Sequence, residues 1–567
     1  MYNRNKWYGF SLVCLVFALL FTACAPATPQ VVEKIVEKTV VVEKPVQQTV
    51  VVTKEVVKEV TKEVQKVVTP TPVPSPTAPP KTLRIGASLG ADMTLDPHNQ
   101  TYLVAYMINN AIYDNLVKYN LETSQAEPSL AESWESSPDG KVWTFKLRPN
   151  MKFASGNPID AEAVKWSLLR PVLSKAWLSN YLAPYIGENS IEVIDARTVK
   201  ITLLKPYAGF LGLMAAQAAA IMDATEVKKH EKDGDFGKAW LADNSAGSGP
   251  YMLKEVKRDA RIVMVKNPNF WGEAPKLDSI IVMHIPEQGQ QLFALEKGDL
   301  DVAIELPPEQ EKPLASKGFQ ILKGEGLFTY WVGMTMVIKP FDNVKVRQAV
   351  RYALDYEGII KDLKKGNAVP ASGIIGKGLL GYTPDLLIKQ DIEKAKKLLE
   401  EAGFKDGFDT ELYSWPDQAT TALALKIQAD LAKVGIRAKY TAQDNAILFP
   451  AFKASKIPMI VWAMNPTYFD PDAIMSTHCD KNTQQTQRLG WQDDECTKIL
   501  EESRITVDPK KREQLLIQAQ KIIVDRGPYA FMFRTVGVGD FHAASPRVKG
   551  WKPIPLLTAD LRAVSVQ

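Results

Sequence analysis

The residues between Val461 and Met475 have the types that bind ligands or carry out acid–base chemistry. The run VWAMNPTYFDPDAIM holds a Trp, an Asn, a Tyr, a Phe and two Asp residues, interrupted by two prolines. Aromatic faces suit sugar rings or apolar side chains, and the carboxylates Asp470 and Asp472 could serve as acid and base. Asp beside Pro is also typical of a turn or a helix cap, so composition alone leaves the role of this loop open.

Motifs of other chemistries are absent or incomplete. The run GASLG at 86–90 fits G-x-S-x-G, but a nucleophile elbow leads directly into a helix, and here Pro97 lies in the sequence that follows. The run GKG at 376–378 lacks the spacing and the hydroxyl of a phosphate-binding loop. We therefore expect no enzyme activity and no cofactor, with Ser88 in an ordinary turn.

Metal-binding residue types are few and scattered. The four cysteines form no CxxC, and the histidines form no pair spaced as in HExxH. We expect no protein-held metal.

Length and charge narrow the class of protein further. A chain of 567 residues, 46% of them hydrophobic, is too long for one small core and predicts two or more domains. The 69 basic and 65 acidic residues nearly cancel. We predict no nucleic-acid partner, because a strong basic excess is lacking.

The N-terminus predicts an exported and anchored protein. Arg4 and Lys6 precede an apolar stretch over about residues 8–21, which is shorter than the roughly 20 residues of a membrane-spanning helix and typical of a signal peptide over 1–23. The sequence FTAC at 21–24 resembles a bacterial lipobox, which implies cleavage before Cys24 and lipidation of its thiol. Several acyl chains would then anchor the protein stably. A simple secreted protein cleaved nearby is the alternative.

Residues 24–80 read as a low-complexity tether. A Val-, Glu-, Lys- and Thr-rich run allows either a weak helical stalk or an extended polar strand. The Pro-rich run TPTPVPSPTAPP follows, and it favours polyproline II at about 3.1 Å per residue. We interpret the whole segment as a spacer between a membrane and the folded body.

The segment 461–475, here called the opening loop, must be positioned by the strands and helices around it. These are mixed along the chain from residue 81 onward. Alternating apolar residues predict strands at KTLRIGASLG, KVWTFKLRPN, VKITLLKPY, RIVMVKN and IIVMHIP. Amphipathic spacing predicts helices at YLVAYMINNAIYDNLV, KVRQAVRYALDYEGIIKDL, DIEKAKKLLEEAGF, TALALKIQADLAKVG, DECTKILEESRI and KKREQLLIQAQKIIVDRG. Asp160 is predicted to cap the helix AEAVKWSLLRPVL. Such mixing predicts an α/β fold.

The run PSLAESWESSPDGKVWTFKLRPNMKFASGNPIDAEAVKWSL at 128–168 resembles the signature of the family 5 extracellular solute-binding proteins. These are the oligopeptide-, dipeptide- and nickel-binding components of bacterial ABC importers. Other landmarks stand in the family's order, including TLDPHNQ, GSGPYMLKEV, KNPNFWGEAPKLDSIIVMHIP and ALEKGDLDVAI. The resemblance covers about residues 82–560.

The resemblance implies a two-lobe periplasmic-binding-protein (type II-like) fold with an extra subdomain in the first lobe. Lobe I would take residues 81–122, 244–325 and 540–567, the extra subdomain 123–243, and lobe II 326–539. Because the chain crosses between lobes more than once, a hinge is expected, and binding would favour the closed form.

The same resemblance places the opening loop in the cleft between the lobes. In this family the segment after a strand ending in Trp lines the cleft, and here Trp462 ends the strand PMIVW. Peptide-binding members commonly hold the peptide's amino group with an Asp three residues after that Trp, and some carry an Arg three residues before it. The corresponding residues here, Asn465 and Met459, are neutral. An amide suits a hydroxyl or a neutral amide better than an ammonium group.

Several aromatic residues are candidates for contact with the ligand. The predicted ligand-binding residues are Asn465 together with Trp462, Tyr468, Phe469, Tyr330, Trp331, Tyr102, Trp177 and Tyr181. For the aromatic residues, ordinary packing is the alternative.

Cys479 and Cys496 enclose a short loop late in the chain. Because the protein is expected to face an oxidising exterior, we predict a disulfide between them, which would contribute about 3 kcal/mol. The alternative is that both remain unpaired and pack as small apolar residues.

We therefore predict a monomeric lipoprotein receptor of an ABC importer, anchored through Cys24 to the outer face of the cytoplasmic membrane. It would capture a solute, nominally an oligopeptide, and deliver it to a permease driven by a separate ATPase subunit. An oligosaccharide is the main alternative ligand, because the charged positions of the family are neutral here. A surface adhesin or scaffold with a vestigial cleft is the alternative from another functional class.

Overall fold

The structure is a computed structural model that describes residues 80–567 except 121, 124, 324–325, 536–540 and 555–557. The chain divides into two units, Met1–Pro76 and Thr77–Gln567, and every described residue belongs to the second unit. The predicted signal peptide, Cys24 and the tether up to residue 79 lie outside the described residues. Within the described part, no helix combines the length and the apolar character needed to cross a membrane.

Lobe I is built on a seven-stranded sheet. In spatial order its strands are Gln320–Leu322, Phe541–Ala544, Val302–Leu306, Thr82–Ala87, Ser279–His284, Arg261–Lys266 and Tyr251–Lys257. The strand Thr82–Ala87 pairs in parallel with both of its neighbours, and the other pairings are antiparallel. Helices Leu103–Ile112, Gln288–Lys297 and Glu311–Ser316 belong to this lobe. The strand Phe541–Ala544 returns from the far end of the chain to an internal place in the sheet.

The extra subdomain has its own sheet and its own hydrophobic core. Its sheet has the spatial order Ala131–Ser136, Val142–Leu147, Thr198–Thr202 and Ile191–Asp195, beside the hairpin Val117–Asn120 with Gln125–Pro128. Its helices are Ala161–Leu173, Ser179–Leu182, Phe210–Met214, Ala224–Lys229 and Lys238–Leu241. Asp160 caps the longest helix as predicted, by accepting a hydrogen bond from the Ala163 backbone N–H at 2.9 Å.

Lobe II is a six-stranded mixed sheet covered by helices. In spatial order its strands are Val369–Pro370, Tyr529–Thr535, Phe328–Met334, Met459–Met464, Phe408–Ser414 and Ile436–Ala442. Its helices are Val344–Ala353, Tyr356–Gly358, Ile392–Glu401, Gln418–Ala432, Asn445–Lys453, Asp472–Cys479, Gln484–Arg488, Asp494–Ile505 and Pro509–Arg526. Two separate hydrophobic clusters contain residues of the strand Phe328–Met334.

Small hairpins complete the C-terminal end of lobe I. They pair Val548–Lys549 with Ser565–Val566, and Pro553–Ile554 with Thr558–Ala559. Arg562 ties this end to the rest of lobe I, because its Nη1 donates to the Asp114 carboxylate at 2.6 Å.

Two predicted helices are shorter than the apolar pattern indicated. The helix Leu103–Ile112 ends where Tyr113 adopts an extended backbone, before the strand Val117–Asn120. The helix Val344–Ala353 ends at an extended Leu354, and Asp355 starts the next turn by accepting from the Gly358 backbone N–H. An Asp side chain that caps a new turn competes with continuation of the preceding helix.

Candidate functional site

A cavity of about 700 Å³, here called the cleft cavity, is bordered by all three parts of the fold. Lobe I contributes the segment 100–106, and the extra subdomain contributes Trp177 and Tyr181. Lobe II contributes strand ends and loops around Tyr330, Trp415 and Asn465. The volume lies within the 300–1,000 Å³ typical of small-molecule sites. A ligand in this cavity can contact both lobes at once.

Five of the predicted ligand-binding residues border the cleft cavity. They are Tyr102, Trp177, Tyr181, Tyr330 and Asn465. Trp177 is the most exposed of them at 59%, which leaves a large apolar surface for a ligand to cover.

A buried ion pair holds the lobe I side of the cavity. Arg170 of the extra subdomain donates from Nη2 to Asp96 Oδ2 at 2.8 Å and from Nη1 to Asp96 Oδ1 at 2.9 Å. Burial alone would raise the pKa of Asp96, but the guanidinium outweighs it and the pKa falls below its usual value. This pair fixes the TLDPHNQ turn, from which the chain reaches Tyr102. The hydroxyl of Tyr102 donates to Asp92, and this bond raises the pKa of Tyr102.

The prediction that Trp331 contacts the ligand is wrong. Trp331 is 0% exposed and packs edge-on against His478 and Tyr529, with ring centroids 5.8 and 5.2 Å away. Successive side chains of a strand point to opposite faces, so Tyr330 borders the cavity while Trp331 enters the lobe II core.

Trp462 packs behind the cavity wall and supports it. Its ring stacks on Phe449 at 5.9 Å and meets Trp415 edge-on at 5.3 Å, and Trp415 itself borders the cavity. Trp415, which the sequence reasoning missed, therefore borders the cavity where Trp462 was expected to do so. Met459, at the other end of the strand, is fully buried in the lobe II core.

Tyr468 and Phe469 join lobe II to the extra subdomain and do not border the cleft cavity. Tyr468 is 4% exposed and belongs to the core of the extra subdomain, where its hydroxyl lies 2.8 Å from that of Tyr207. Burial raises the pKa of Tyr468 well above its usual value. Phe469 stacks on Tyr119 at 5.3 Å. Both residues instead border a second cavity of about 570 Å³, which shares Tyr106 and Thr467 with the first.

The two carboxylates of the opening loop hold arginines. Asp470 accepts two hydrogen bonds from Arg512, both at 2.7 Å. Asp472 accepts from Arg504 Nε at 2.8 Å. All four side chains are largely buried, so these carboxylates fix the loop and leave the ligand site to other residues.

Two charged residues that the sequence reasoning did not select border the cleft cavity. Asp417 caps the helix Gln418–Ala432 by accepting from the Thr420 backbone N–H at 2.9 Å. The ammonium group of Lys364 lies over the rings of Tyr330 and Phe533, 5.9 and 5.7 Å from their centroids. An Asp before a helix was recognisable as a cap. Nothing in one sequence shows which cap faces the cleft.

Ser88 directly follows the strand Thr82–Ala87, and the turn predicted after this strand lies at 91–92. The Ser88 backbone N–H donates to Glu305 Oε1 at 3.4 Å, and the next helix begins only at Leu103. The arrangement lacks the strand–nucleophile–helix geometry of an elbow.

Cys479 and Cys496 form a disulfide, with Cα atoms 5.5 Å apart. The bond joins the last residue of the helix Asp472–Cys479 to the helix Asp494–Ile505 within a buried cluster of lobe II. It therefore fixes the helix that follows the opening loop.

Comparisons of the sequence and of the structure with known proteins both identify the same family. The model of the bacterial extracellular solute-binding proteins, family 5 (middle), matches residues 125–486. The probable D,D-dipeptide-binding periplasmic protein DdpA of Escherichia coli is 31% identical over 453 residues, which cover 78% of this chain and 86% of that protein. The dipeptide-binding protein of Escherichia coli is 29% identical, covering 80% of this chain and 89% of that protein.

Among solved structures, the periplasmic binding protein DppA of Helicobacter pylori, in complex with the peptide STSA, superposes with a TM-score of 0.72. It is 25% identical and covers 86% of this chain and 98% of that chain. The predicted α/β two-lobe fold is confirmed, and so is the prediction that the protein is a non-enzymatic binding component. The chain belongs to the family 5 bacterial extracellular solute-binding proteins.

Proposed function

We propose that this protein is the receptor of an ABC importer, which captures a short peptide in the cleft cavity and delivers it to a membrane permease. The relatives described above are named for binding dipeptides, and one related structure holds a peptide. The observation that carries the proposal is the cavity of about 700 Å³ with walls from both lobes and the extra subdomain.

A bound ligand would bridge the two lobes and the extra subdomain. A ligand that contacts Tyr102, Trp177 and Tyr330 together gains its full binding energy only when the lobes approach each other. Ligand binding therefore favours the closed form by the difference in affinity between the two forms. No chemical change of the ligand is required, and the permease would recognise the closed receptor.

An oligosaccharide is the second candidate ligand. Asn465 offers a neutral amide at the cavity wall, and several aromatic residues border the same cavity. Aromatic faces and amides suit sugar rings and hydroxyls. Because both ligand classes fit an aromatic cavity, binding measurements must separate them.

The anchoring is part of the same proposal. Lipidation of Cys24 would hold the receptor at the outer face of the cytoplasmic membrane, with residues 24–80 as the spacer and the folded body as a monomer. The alternative of a surface adhesin or scaffold differs in one measurable respect, because a receptor becomes more compact when it binds ligand and a scaffold does not.

Thermal-shift measurements with a panel of di- to tetrapeptides and oligosaccharides test the proposed function. We expect peptides to raise the melting temperature, by the mass-action effect of binding to the folded state. Trp177→Ala should weaken peptide binding about tenfold or more, because it removes a large aromatic contact.

Phe293→Ala is the matched control, because Phe293 is 68% exposed, lies on a lobe I helix and is not part of the cleft cavity wall. Equal peptide affinity of the Trp177→Ala variant and the original protein would contradict the assignment of this cavity. A rise in melting temperature with oligosaccharides alone would favour the second candidate.

A further inference from the structure

The second cavity, of about 570 Å³, has no part in the function proposed above. Its wall combines residues of lobe I, of the extra subdomain and of the lobe II segment 467–469. Tyr106 and Thr467 border both cavities, so the two are neighbours. The volume lies within the 300–1,000 Å³ typical of small-molecule sites, so the second cavity has room for a ligand of its own.

One face of the helix Leu103–Ile112 borders the second cavity. Tyr106, Asn109 and Asn110 of this helix contribute to the wall, together with Tyr113 directly after it. Residues three and four positions apart lie on the same side of a helix, which is the spacing of this set. The lobe I side of the cavity therefore offers two carboxamides next to each other.

The side chain of Asn109 is buried without a hydrogen-bond partner. It is 1% exposed, and neither its Nδ2 nor its Oδ1 has a partner among the described residues. Buried polar side chains are nearly always hydrogen-bonded, because an unpaired one is costly. The amide of Asn109 therefore calls for a partner from outside the chain, and the cavity is the space in which that partner can lie.

The buried charges of the wall are already paired. Asp114 accepts from Arg562 Nη1 at 2.6 Å, and the same guanidinium donates to backbone carbonyls of the helix and of Tyr113. Lys118 and Lys552 border the cavity with exposed side chains. A charged group beside Asn109 would lose its hydration without gaining a free countercharge. The site therefore favours a neutral ligand, which excludes a peptide with free termini.

A hydroxyl-rich ring matches the remaining chemistry of the wall. A carboxamide donates through its nitrogen and accepts through its oxygen, and each hydroxyl of a sugar can do both. Tyr106, Tyr113 and Phe469 add aromatic side chains to the same wall, and aromatic faces suit sugar rings. A purely apolar ligand would leave the amide of Asn109 unpaired.

We propose that the second cavity is a separate binding site for a neutral monosaccharide, which the carboxamide of Asn109 holds by hydrogen bonds. The inference goes beyond the proposed function, because Asn109 does not border the cleft cavity. The protein would then bind two ligands of different classes, and neither site requires the other to be occupied.

Asn109→Leu tests the proposal, because it replaces the amide by an apolar group of similar size. Since the amide has no partner within the described chain, the melting temperature without sugar should not fall. Asn465→Leu is the matched control, because it makes the same chemical change at a carboxamide that borders the cleft cavity and not the second cavity. Asn110→Ala is a second variant at a less buried position, and it decides the question if Asn109→Leu does not fold.

The probes are glucose, galactose and mannose, with glucuronate as a charged analogue. Affinities are measured by titration calorimetry at pH 7, with and without the peptide Met-Leu. We expect at least one neutral sugar to bind, and Asn109→Leu to weaken it about tenfold or more, the scale of two neutral hydrogen bonds. Asn110→Ala should weaken it severalfold, and Asn465→Leu should leave it unchanged. Glucuronate should bind at least about tenfold more weakly than glucose, because a carboxylate finds no free countercharge beside Asn109.

The outcomes separate this inference from the proposed function. Sugar binding that is weakened by Asn465→Leu or Trp177→Ala, but not by the variants of Asn109 and Asn110, would place the sugar in the cleft cavity and overturn the inference. Failure of every neutral sugar to bind would also overturn it, while binding of Met-Leu would leave the peptide receptor standing. Glucuronate that binds as tightly as glucose would contradict the neutral class.

Two further results concern the amide itself and the peptide. A lower melting temperature of Asn109→Leu, with unchanged sugar affinity, would show that the amide serves the fold, and it would overturn the inference. Sugar binding that depends on Asn109 while no peptide binds would support the inference and contradict the proposed function.

Discussion

Tyr468 carries a hydroxyl from lobe II into the core of the extra subdomain. Its oxygen lies 2.8 Å from the hydroxyl of Tyr207, and the Asp472 carboxylate lies 3.3 Å from the Tyr207 hydroxyl. Neither ring has more than a few per cent of its surface exposed. The contact is therefore a buried polar link between two parts of the fold, where an unsatisfied hydroxyl is costly.

We predict that Tyr207→Phe and Tyr468→Phe each lower the free energy of unfolding by about 1–2 kcal/mol, because each leaves the partner hydroxyl with one bond fewer. The double variant should lose less than the sum of the two single variants, since both single variants remove the Tyr207–Tyr468 bond. Each also removes a longer hydrogen bond to Asp472. Urea denaturation measures all three. Tyr185→Phe is the control, because the Tyr185 ring stacks on Tyr207 at 4.1 Å and the change keeps that stack. Fully additive losses would contradict the direct link.

The positions of single side chains were the least predictable feature of this protein. Tyr330 and Trp331 are neighbours of similar chemistry, and only the pleat of the strand decides that one borders the cavity and the other enters the core. Tyr468 was expected at the ligand because its loop follows a cleft strand. Its actual partner, Tyr207, is 261 residues away in sequence, and no local pattern indicates such a contact.

At the scale of elements, caps and amphipathic patterns were predictable because they are local. Asp160 caps its helix as expected, and the helix Pro509–Arg526 matches the predicted run 510–527 to within one residue at each end. The prediction was wrong at 354–355, where an apolar pattern continued but an Asp side chain began a new turn. Asp417 shows that a correct local prediction does not place a residue in the fold. Its role as a cap is local, whereas its place in the cleft depends on how the whole lobe packs.

The disulfide links two helices that support the opening loop. We predict that the double variant Cys479→Ala, Cys496→Ala has a free energy of unfolding lower by roughly 3 kcal/mol, because the bond closes a loop of 17 residues in the unfolded chain. Urea denaturation measures the loss.

Reduction provides the control for the disulfide prediction. The original protein in dithiothreitol should unfold near the urea concentration of the double variant, and dithiothreitol should not shift the variant. Peptide affinity should stay unchanged, since neither cysteine borders the cleft cavity. An original protein that unfolds at the same urea concentration with and without reductant would contradict the prediction.

At the scale of the whole molecule, three fully buried histidines couple stability to pH. Burial lowers the pKa of His98 to about 3 and the pKa values of His478 and His542 to about 4. The unfolded chain binds these protons at the ordinary pKa of about 6.5. Between about pH 6.5 and 4 the unfolded state therefore binds more protons than the folded state, and stability falls as the pH falls.

His542→Gln tests this dependence. Trp551 Nε1 donates to His542 Nδ1 at 3.1 Å, and the Gln side chain keeps an acceptor there while it cannot titrate. Between pH 6.5 and 4, we predict that the free energy of unfolding of the variant falls by roughly 3 kcal/mol less than that of the original protein. The figure follows from the difference between the pKa values of about 6.5 and 4, at 1.36 kcal/mol per pKa unit. Urea denaturation at several pH values measures both curves. Parallel curves of stability against pH would show that His542 does not contribute to the pH dependence.

The fold as a whole was more predictable than its site. Many motifs in a fixed order indicated the family, and the family implies the arrangement of lobes. The volume and the lining of the cavity could not be predicted from the sequence, because they depend on which side chains of three separate parts meet.

The strand Phe541–Ala544 lies inside the lobe I sheet, between Gln320–Leu322 and Val302–Leu306. A chain that is still emerging from the ribosome therefore lacks an internal strand of lobe I until residues 541–544 have been made. Its N-terminal lobe cannot lock into its final form during synthesis. We expect the nascent polypeptide to remain open enough to be threaded through an export channel, and to gain its stability only after its last segment arrives.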